Sequence, residues 1–201
     1  MKKLAHATPL AIAAVAAFAA GGIAAGTPAA AEAATCPPPP ALSQPFLAWG
    51  DSQKYALVPG ASFESTLGGW SFAAGSVVAG NEPWFLHSYS DTRSFALAAG
   101  VPVTTAAICE PLLQPVARLF VRNAGSMNAL LHVEFVMTRN GAPYVVDGGY
   151  VSAKSSWSLT PVLGGFQPFP VTGALQLRLT AVGSNAAFQI DDVYVDPYLS
   201  R

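Results

Sequence analysis

Ala187-Phe188-Gln189-Ile190-Asp191-Asp192-Val193-Tyr194-Val195-Asp196-Pro197-Tyr198 is the stretch on which the fold turns. Side chains alternate between the two faces of a strand. Phe188 and Ile190 share one parity and Val193 and Val195 the other, so one extra residue has entered the alternation at Asp191-Asp192. A β-bulge is expected there. A closing strand that holds two acids at a bulge pins the end of the chain to something much earlier, and the candidate is Glu64, in Gly60-Ala61-Ser62-Phe63-Glu64-Ser65.

Upstream, short alternating or apolar runs separated by Gly, Pro and Asn fill the chain from Tyr55 to Val195, as in an all-β sandwich or barrel. Leu131, Val133, Phe135 and Met137 alternate with His132, Glu134, Val136 and Thr138; Leu175, Leu177 and Leu179 alternate with Gln176, Arg178 and Thr180. Ala117, Leu119 and Val121 likewise oppose Arg118, Phe120 and Arg122. Each run is a half-buried strand with one core face. Asn140-Gly141, both tolerant of positive φ, marks a tight hairpin. No long helical period and no solenoid repeat occurs.

Ahead of this body, Lys2 and Lys3 precede an Ala-rich apolar run followed by small residues, the layout of a secretory signal peptide. The expected organisation is residues 1–33 as signal peptide, 34–54 as a Pro-rich arm and 55–201 as the β-sandwich domain. Export favours pairing of the two cysteines, Cys36 and Cys109. In the chain-entropy model such a long loop contributes about 4 kcal/mol when closed. The chain has ten basic and eleven acidic residues; without Lys2, Lys3 and Glu32 these become eight and ten. With no basic patch interleaved with aromatics, nucleic acid is not an expected partner. The Ala- and Gly-rich leader argues against stable membrane insertion.

Leu57-Val58-Pro59-Gly60-Ala61-Ser62-Phe63-Glu64, then Gly69-Trp70-Ser71, then Ile190-Asp191-Asp192-Val193 resembles the opening and closing of galactose-binding-like jelly rolls. Among these are carbohydrate-binding modules of secreted bacterial glycoside hydrolases. The chain is also similar to uncharacterised exported proteins of actinobacteria that end in a comparable Asp-Asp-Val-Tyr-Val-Asp-Pro-Tyr run. The resemblance implies an antiparallel jelly-roll β-sandwich in which the Phe-Glu and Asp-Asp-Val segments lie side by side, often around a structural calcium ion.

The residues alone allow that calcium. Glu64 with Asp191 or Asp192 offers hard carboxylate oxygens, and backbone carbonyls near Gly60, Gly68 and Gly69 could complete a shell. The alternatives are that Glu64 caps a turn and the Asp pair is solvated, or that Lys54 is the compensating partner. A sugar site needs aromatic rings beside hydrogen-bonding side chains. Trp84, Tyr89, Tyr144, Tyr150 and Trp157 supply rings, with Trp84 the exposed one and Trp70 in the core. Parity sets Arg118, Arg122, His132, Glu134, Gln176 and Arg178 away from the core, and if their strands adjoin they form one polar face. The alternative is an ordinary solvated face with Arg and Glu paired across strands.

Catalytic signatures are missing: no Gly-x-Ser-x-Gly elbow, no His-Glu-x-x-His helix, no phosphate loop and no dinucleotide fingerprint. The sequence therefore points to an exported noncatalytic module for a carbohydrate or cell-envelope glycan. The competing possibility is a structural or interaction sandwich without a small ligand.

Overall fold

The computed structural model describes residues 41–112, 114–139, 142–164 and 171–196, all within the second of two compact units, Thr35–Arg201. The expected signal peptide, Cys36, and Asn140 and Gly141 of the expected hairpin lie outside the described residues. Two antiparallel sheets form the sandwich, as the alternation required. In chain order the strands are β1 (Leu42–Ser43), β2 (Tyr55–Leu57), β3 (Ser71–Phe72), β4 (Ser76–Ala79), β5 (Arg93–Leu97), β6 (Val103–Thr104) and β7 (Ile108–Leu112). There follow β8 (Val116–Asn123), β9 (Leu130–Arg139), β10 (Ala142–Val151), β11 (Ser158–Leu159), β12 (Leu163–Gly164), β13 (Val171–Val182) and β14 (Phe188–Asp196).

The first sheet is organised by β14, which pairs along its length with β8 and on its other side with β5 and then β2. The change of partner falls at the expected bulge. Register against β8 slips between Asp191 and Tyr194, and Asp192 has φ 45°. Phe188 and Ile190 before the bulge and Val193 and Val195 after it therefore all reach the core. The second sheet is organised by β13, which pairs with β9 on one side and with β7 and β6 on the other. β10 extends it beyond β9.

Leu119, Val121, Leu131, Val133, Phe135, Leu175, Leu177 and Leu179 fill the space between the sheets with Phe63, Trp70 and Phe95. Trp70 is a core ring, as expected, and its indole N–H donates to Pro59 O at 2.8 Å. Cutting a buried Leu to Ala here costs about 2–5 kcal/mol, the transfer term plus a cavity.

A second apolar layer lies on the outside of the first sheet. Phe46, Tyr55, Val116, Phe120 and Tyr194 are buried there, with Trp49, Leu86, Trp157 and Leu159 packed against them. Phe46 stands edge-on to Tyr55 and Tyr194, at 5.0 and 5.4 Å between ring centroids. Residues 41–54, expected to be part of an arm, instead add β1 to the sheet and deliver Phe46 to this layer. A strand with apolar side chains on both parities, such as β8, needs a cover on each face. The sequence meets that need with a segment outside the sandwich.

Candidate functional site

The six polar-parity residues, which would form one face only if their strands adjoined, are divided between two. β8 belongs to the first sheet, whereas β9 and β13 belong to the second. Arg118 and Arg122 therefore lie on the opposite side of the molecule from His132, Glu134, Gln176 and Arg178. The division has a physical source: period-2 alternation fixes which residues share a strand face but not which sheet the strand joins.

On the first sheet, Arg118 is committed to protein contacts. Its Nε and Nη2 donate to Thr160 O at 3.1 and 2.9 Å, its Nη1 donates to Asp51 Oδ2 at 2.9 Å, and its guanidinium lies over Phe46 at 5.0 Å. Tyr55 Oη donates to the same Asp51 oxygen at 2.7 Å. Burial raises the Asp51 pKa, but hydrogen bonds from Tyr55, the Gln53 amide and Arg118 outweigh it and hold the group below its ordinary value. A cleft of about 340 Å³ opens here between Trp49, Asp51, Tyr55, Arg118 and Val162. Arg122 donates to Gln189 Oε1 at 2.7 Å and lies over Trp157 at 5.4 Å. Trp84 is 44% exposed, as an outward ring should be, but its face is stacked on Phe120 at 5.1 Å and its neighbour is Trp49 at 5.7 Å. These three side chains close the second apolar layer.

On the second sheet, no buried apolar layer covers the outer face among the described residues. Arg178 makes a two-pronged pair with Glu134, both N···O distances 2.6 Å. The pairing holds Glu134 below its ordinary pKa and Arg178 above its own. His132 Nε2 lies 3.1 Å from Asp147 Oδ1, and its Nδ1 is 3.9 Å from Glu134 Oε2. Tyr150 is laid parallel on the His132 ring at 4.3 Å and 9°, and is 55% exposed. Gln176 completes the row with its amide on Thr105 O.

A second bulge builds this arrangement. Val145 and Asp147 point outward on β10, so simple alternation would send Tyr150 inward with Val146. The register slips between Asp147 and Gly149 and turns Tyr150 out beside Asp147. Gly149 has φ 97°, a conformation that favours glycine, and its N–H donates to Asp147 Oδ1 at 2.8 Å. That bond, followed by the one to His132, lowers the Asp147 pKa. A Cβ on Gly148 would come within 2.7 Å of Phe135 and 2.9 Å of Val133 O. Strand parity alone passes over the adjacent glycines of Asp147-Gly148-Gly149-Tyr150, which are the signal that marks this bulge. Tyr144, in contrast, packs toward the core.

The three acids expected to meet do not share a site. Glu64 accepts from the amides of Thr92 and Arg93, each at 2.6 Å, where a loop re-enters β5. The acid that joins Asp191 and Asp192 is Glu82. All three are buried, Glu82 within residues 80–92, which connect β4 to β5, and Asp191 and Asp192 on β14 against that loop. Glu82 accepts from Trp84 N and Leu86 N at 2.5 Å each. Its own N–H donates to Asp191 Oδ2 at 3.1 Å. Asp191 Oδ1 accepts from Asp192 N at 2.9 Å and Asp192 Oδ2 from His87 N at 3.2 Å. Burial first, and the neighbouring Asp192 charge second, push Asp191 up to about 9; burial and the Glu82 charge push Asp192 up to about 7, and burial raises Glu82 as well. Hard oxygens suit calcium in kind. Five of these six, however, are already engaged by amide donors, and Asp192 Oδ1 alone is buried without a partner. No group of three or more His, Cys, Asp or Glu among the described residues is arranged to hold a metal ion. Glu64 and the Asp pair grip the same loop and not each other.

Cys109 lies on β7 opposite Ala174, and its expected partner Cys36 is outside the described residues.

The class these features define is an all-β, antiparallel jelly-roll sandwich with one open and one covered face. No protein-family model matches the chain, and no curated protein matches its sequence. Among solved structures it is similar to the CBM22-1 xylan-binding domain of Paenibacillus barcinonensis Xyn10C, with 17% identity, 70% of this chain and 94% of that one covered, and a TM-score of 0.49. It is also similar to TmCBM61 in complex with β-1,4-galactotriose, at 12% identity, 71% and 98% coverage and TM-score 0.46. A third is the family 11 module of the cellulase Lic26A-Cel5E of Clostridium thermocellum, at 10% identity, 73% and 96% coverage and TM-score 0.44. No described helix is long and apolar enough to cross a membrane.

Proposed function

We propose that this protein is an exported, noncatalytic glycan-binding module and that the outer face of β9, β10 and β13 is its binding face. The observation that supports this is the exposed Tyr150 ring, stacked on His132, whose nitrogens face Asp147 and Glu134, with Glu134 held in turn by Arg178. A sugar ring offers an apolar face and a rim of hydroxyls. Tyr150 supplies the apolar partner, and the Asp147 and Glu134 carboxylates supply hydrogen bonds beside it. Arg178 holds Glu134 in one orientation, so little side-chain freedom is lost when a ligand arrives. Because Arg178 is neutralised by Glu134 while Asp147 remains ionised, the face suits a neutral glycan better than an acidic one.

The test is retention on insoluble polysaccharides, with xylan, named for the first neighbour, and β-1,4-galactan, the polymer of the galactotriose units named for the second, heading a broader panel. Tyr150→Ala should lower retention at least about tenfold, equivalent to about 1.4 kcal/mol, without moving the melting temperature. No binding by the wild type to any glycan would favour the structural or interaction role instead. Mass spectrometry of secreted material tests export and the disulfide together: a start near Ala34 and a linked Cys36–Cys109 peptide are expected. Two free thiols or an intact N-terminus would refute that part.

A further inference from the structure

We infer that the loop of residues 80–92 is a second neutral-glycan contact, on a different part of the molecule from Tyr150, formed by the exposed rings of Phe85 and Tyr89. This inference does not rest on the sheet-face proposal. Phe85 is 38% and Tyr89 91% exposed, and their ring centroids are 6.1 Å apart at 34°, close enough for one sugar residue to touch both. Phe85 holds this position with φ 51°, a region costly for a bulky side chain. Such strain persists only where the surroundings over-determine it, and it gathers at ligand contacts.

The surroundings here are the buried carboxylates. Glu82 gathers the amides of Trp84 and Leu86 on either side of Phe85, Asp192 takes the amide of His87, and His87 Nδ1 lies 2.7 Å from Asp91 Oδ2. Asp91 N in turn donates to Ser88 O at 3.1 Å. Trp84 anchors the outer wall on Phe120. The backbone that carries the two rings is therefore fixed before any ligand binds. Such preorganisation serves recognition and does nothing for a passive connection.

Charge selects the occupant. From Pro83 to Ser90 the sequence contains no Asp, Glu, Lys or Arg, and Ser88 and Ser90 flank Tyr89 in the chain with their hydroxyls 2.8 Å apart. Apolar faces with hydroxyls, beside a His87 whose Nδ1 is taken by Asp91, match a neutral polysaccharide. They offer nothing to an anionic membrane surface or an acidic polymer. With Tyr150 on the second sheet and this loop on the first, the module would engage an insoluble polymer at two points, and losing either would remove avidity.

The experiment compares Phe85→Ala/Tyr89→Ala, Tyr89→Ser, Tyr150→Ala and the triple Phe85→Ala/Tyr89→Ala/Tyr150→Ala variant of the whole exported protein, on insoluble xylan, β-1,4-galactan and cellulose. The loop double variant should lose about tenfold in retention, Tyr89→Ser less, and the triple variant all of it. Tyr89→Ser guards against misfolding, because a side chain so exposed contributes little to stability. Should Tyr150→Ala bind like wild type while the loop variants fail, the sheet-face proposal falls and this one stands. Loop variants that bind like wild type, or a wild type that binds no glycan, would overturn the inference. So would a wild-type dimer in sedimentation that Tyr89→Ser dissociates, since the rings would then serve self-association.

Discussion

The two outer faces of the sandwich start from the same strand alternation and end in opposite states. On the first sheet, Arg118, Phe120 and Arg122 are roofed by Phe46, Trp49, Trp84 and Trp157, and their polar atoms bond to protein. On the second, Glu134, Arg178 and His132 bond mainly to one another and leave Tyr150 in solvent. Outward parity is therefore a statement about the sandwich core only. Whether an outward residue meets water, a ligand or a further layer is decided by segments that are not strands.

That contrast is broken most severely at Arg118. Removing the guanidinium in Arg118→Ala strands the largely buried Asp51 carboxylate and Thr160 carbonyl, and a loss of about 3–5 kcal/mol in chemical denaturation is expected, with glycan retention unchanged at temperatures where the protein is folded. A loss of retention with full stability would mean that the covered face binds ligand. Phe120→Ala tests the same roof through packing and should cost about 3–5 kcal/mol.

The buried acids beneath the 80–92 loop give an effect of intermediate size, and its sign is fixed. Folded-state pKa values of about 7 for Asp192 and about 9 for Asp191 lie above the ordinary carboxylate value. The native protein therefore binds more protons than the unfolded chain, and stability must fall as pH rises. Their contribution is complete below about pH 4 and is lost progressively up to about pH 7 for Asp192 and about pH 9 for Asp191. Melting temperature should drop across that window, and Asp191→Asn should flatten the curve. Melting in EDTA and in added calcium tests the metal expectation at the same place. Coincident curves are expected if amide donors and protons are the only compensation. A calcium-dependent rise of several degrees, abolished by Asp192→Asn, would instead establish a structural cation there.

Much of the fold was legible in the sequence. The parity switch at Asp191-Asp192 located the bulge, the alternation of Leu131 to Met137 and of Leu175 to Leu179 gave two core strands, and Trp70 was assigned inward. The site was legible only in part. His132, Glu134 and Arg178 were placed on one face by parity, but Arg118 and Arg122 have the same local pattern and sit on the other sheet, a difference set by long-range pairing of β8 with β14. Glu64 was matched to the Asp pair as an early acid for the closing strand to hold, a match the family likeness only repeated, whereas Glu82, the buried acid of the 80–92 loop, carries no periodic signal. Tyr150 was one ring among five until the Gly148-Gly149 bulge turned it outward.

The smallest expected stability effect belongs to the open face: Glu134→Gln loosens a surface pair with Arg178 and should change stability by less than about 1 kcal/mol. The central claim is tested most directly by mapping amide chemical-shift changes in the protein as xylohexaose or β-1,4-galactotriose, whichever binds, is added. The account expects one set of changes over 131–138, 145–150 and 176–180, a second near 85–89, and none at 116–122. Changes concentrated at Arg118, Arg122 and Trp49, with Tyr150 and His132 unmoved, would contradict it.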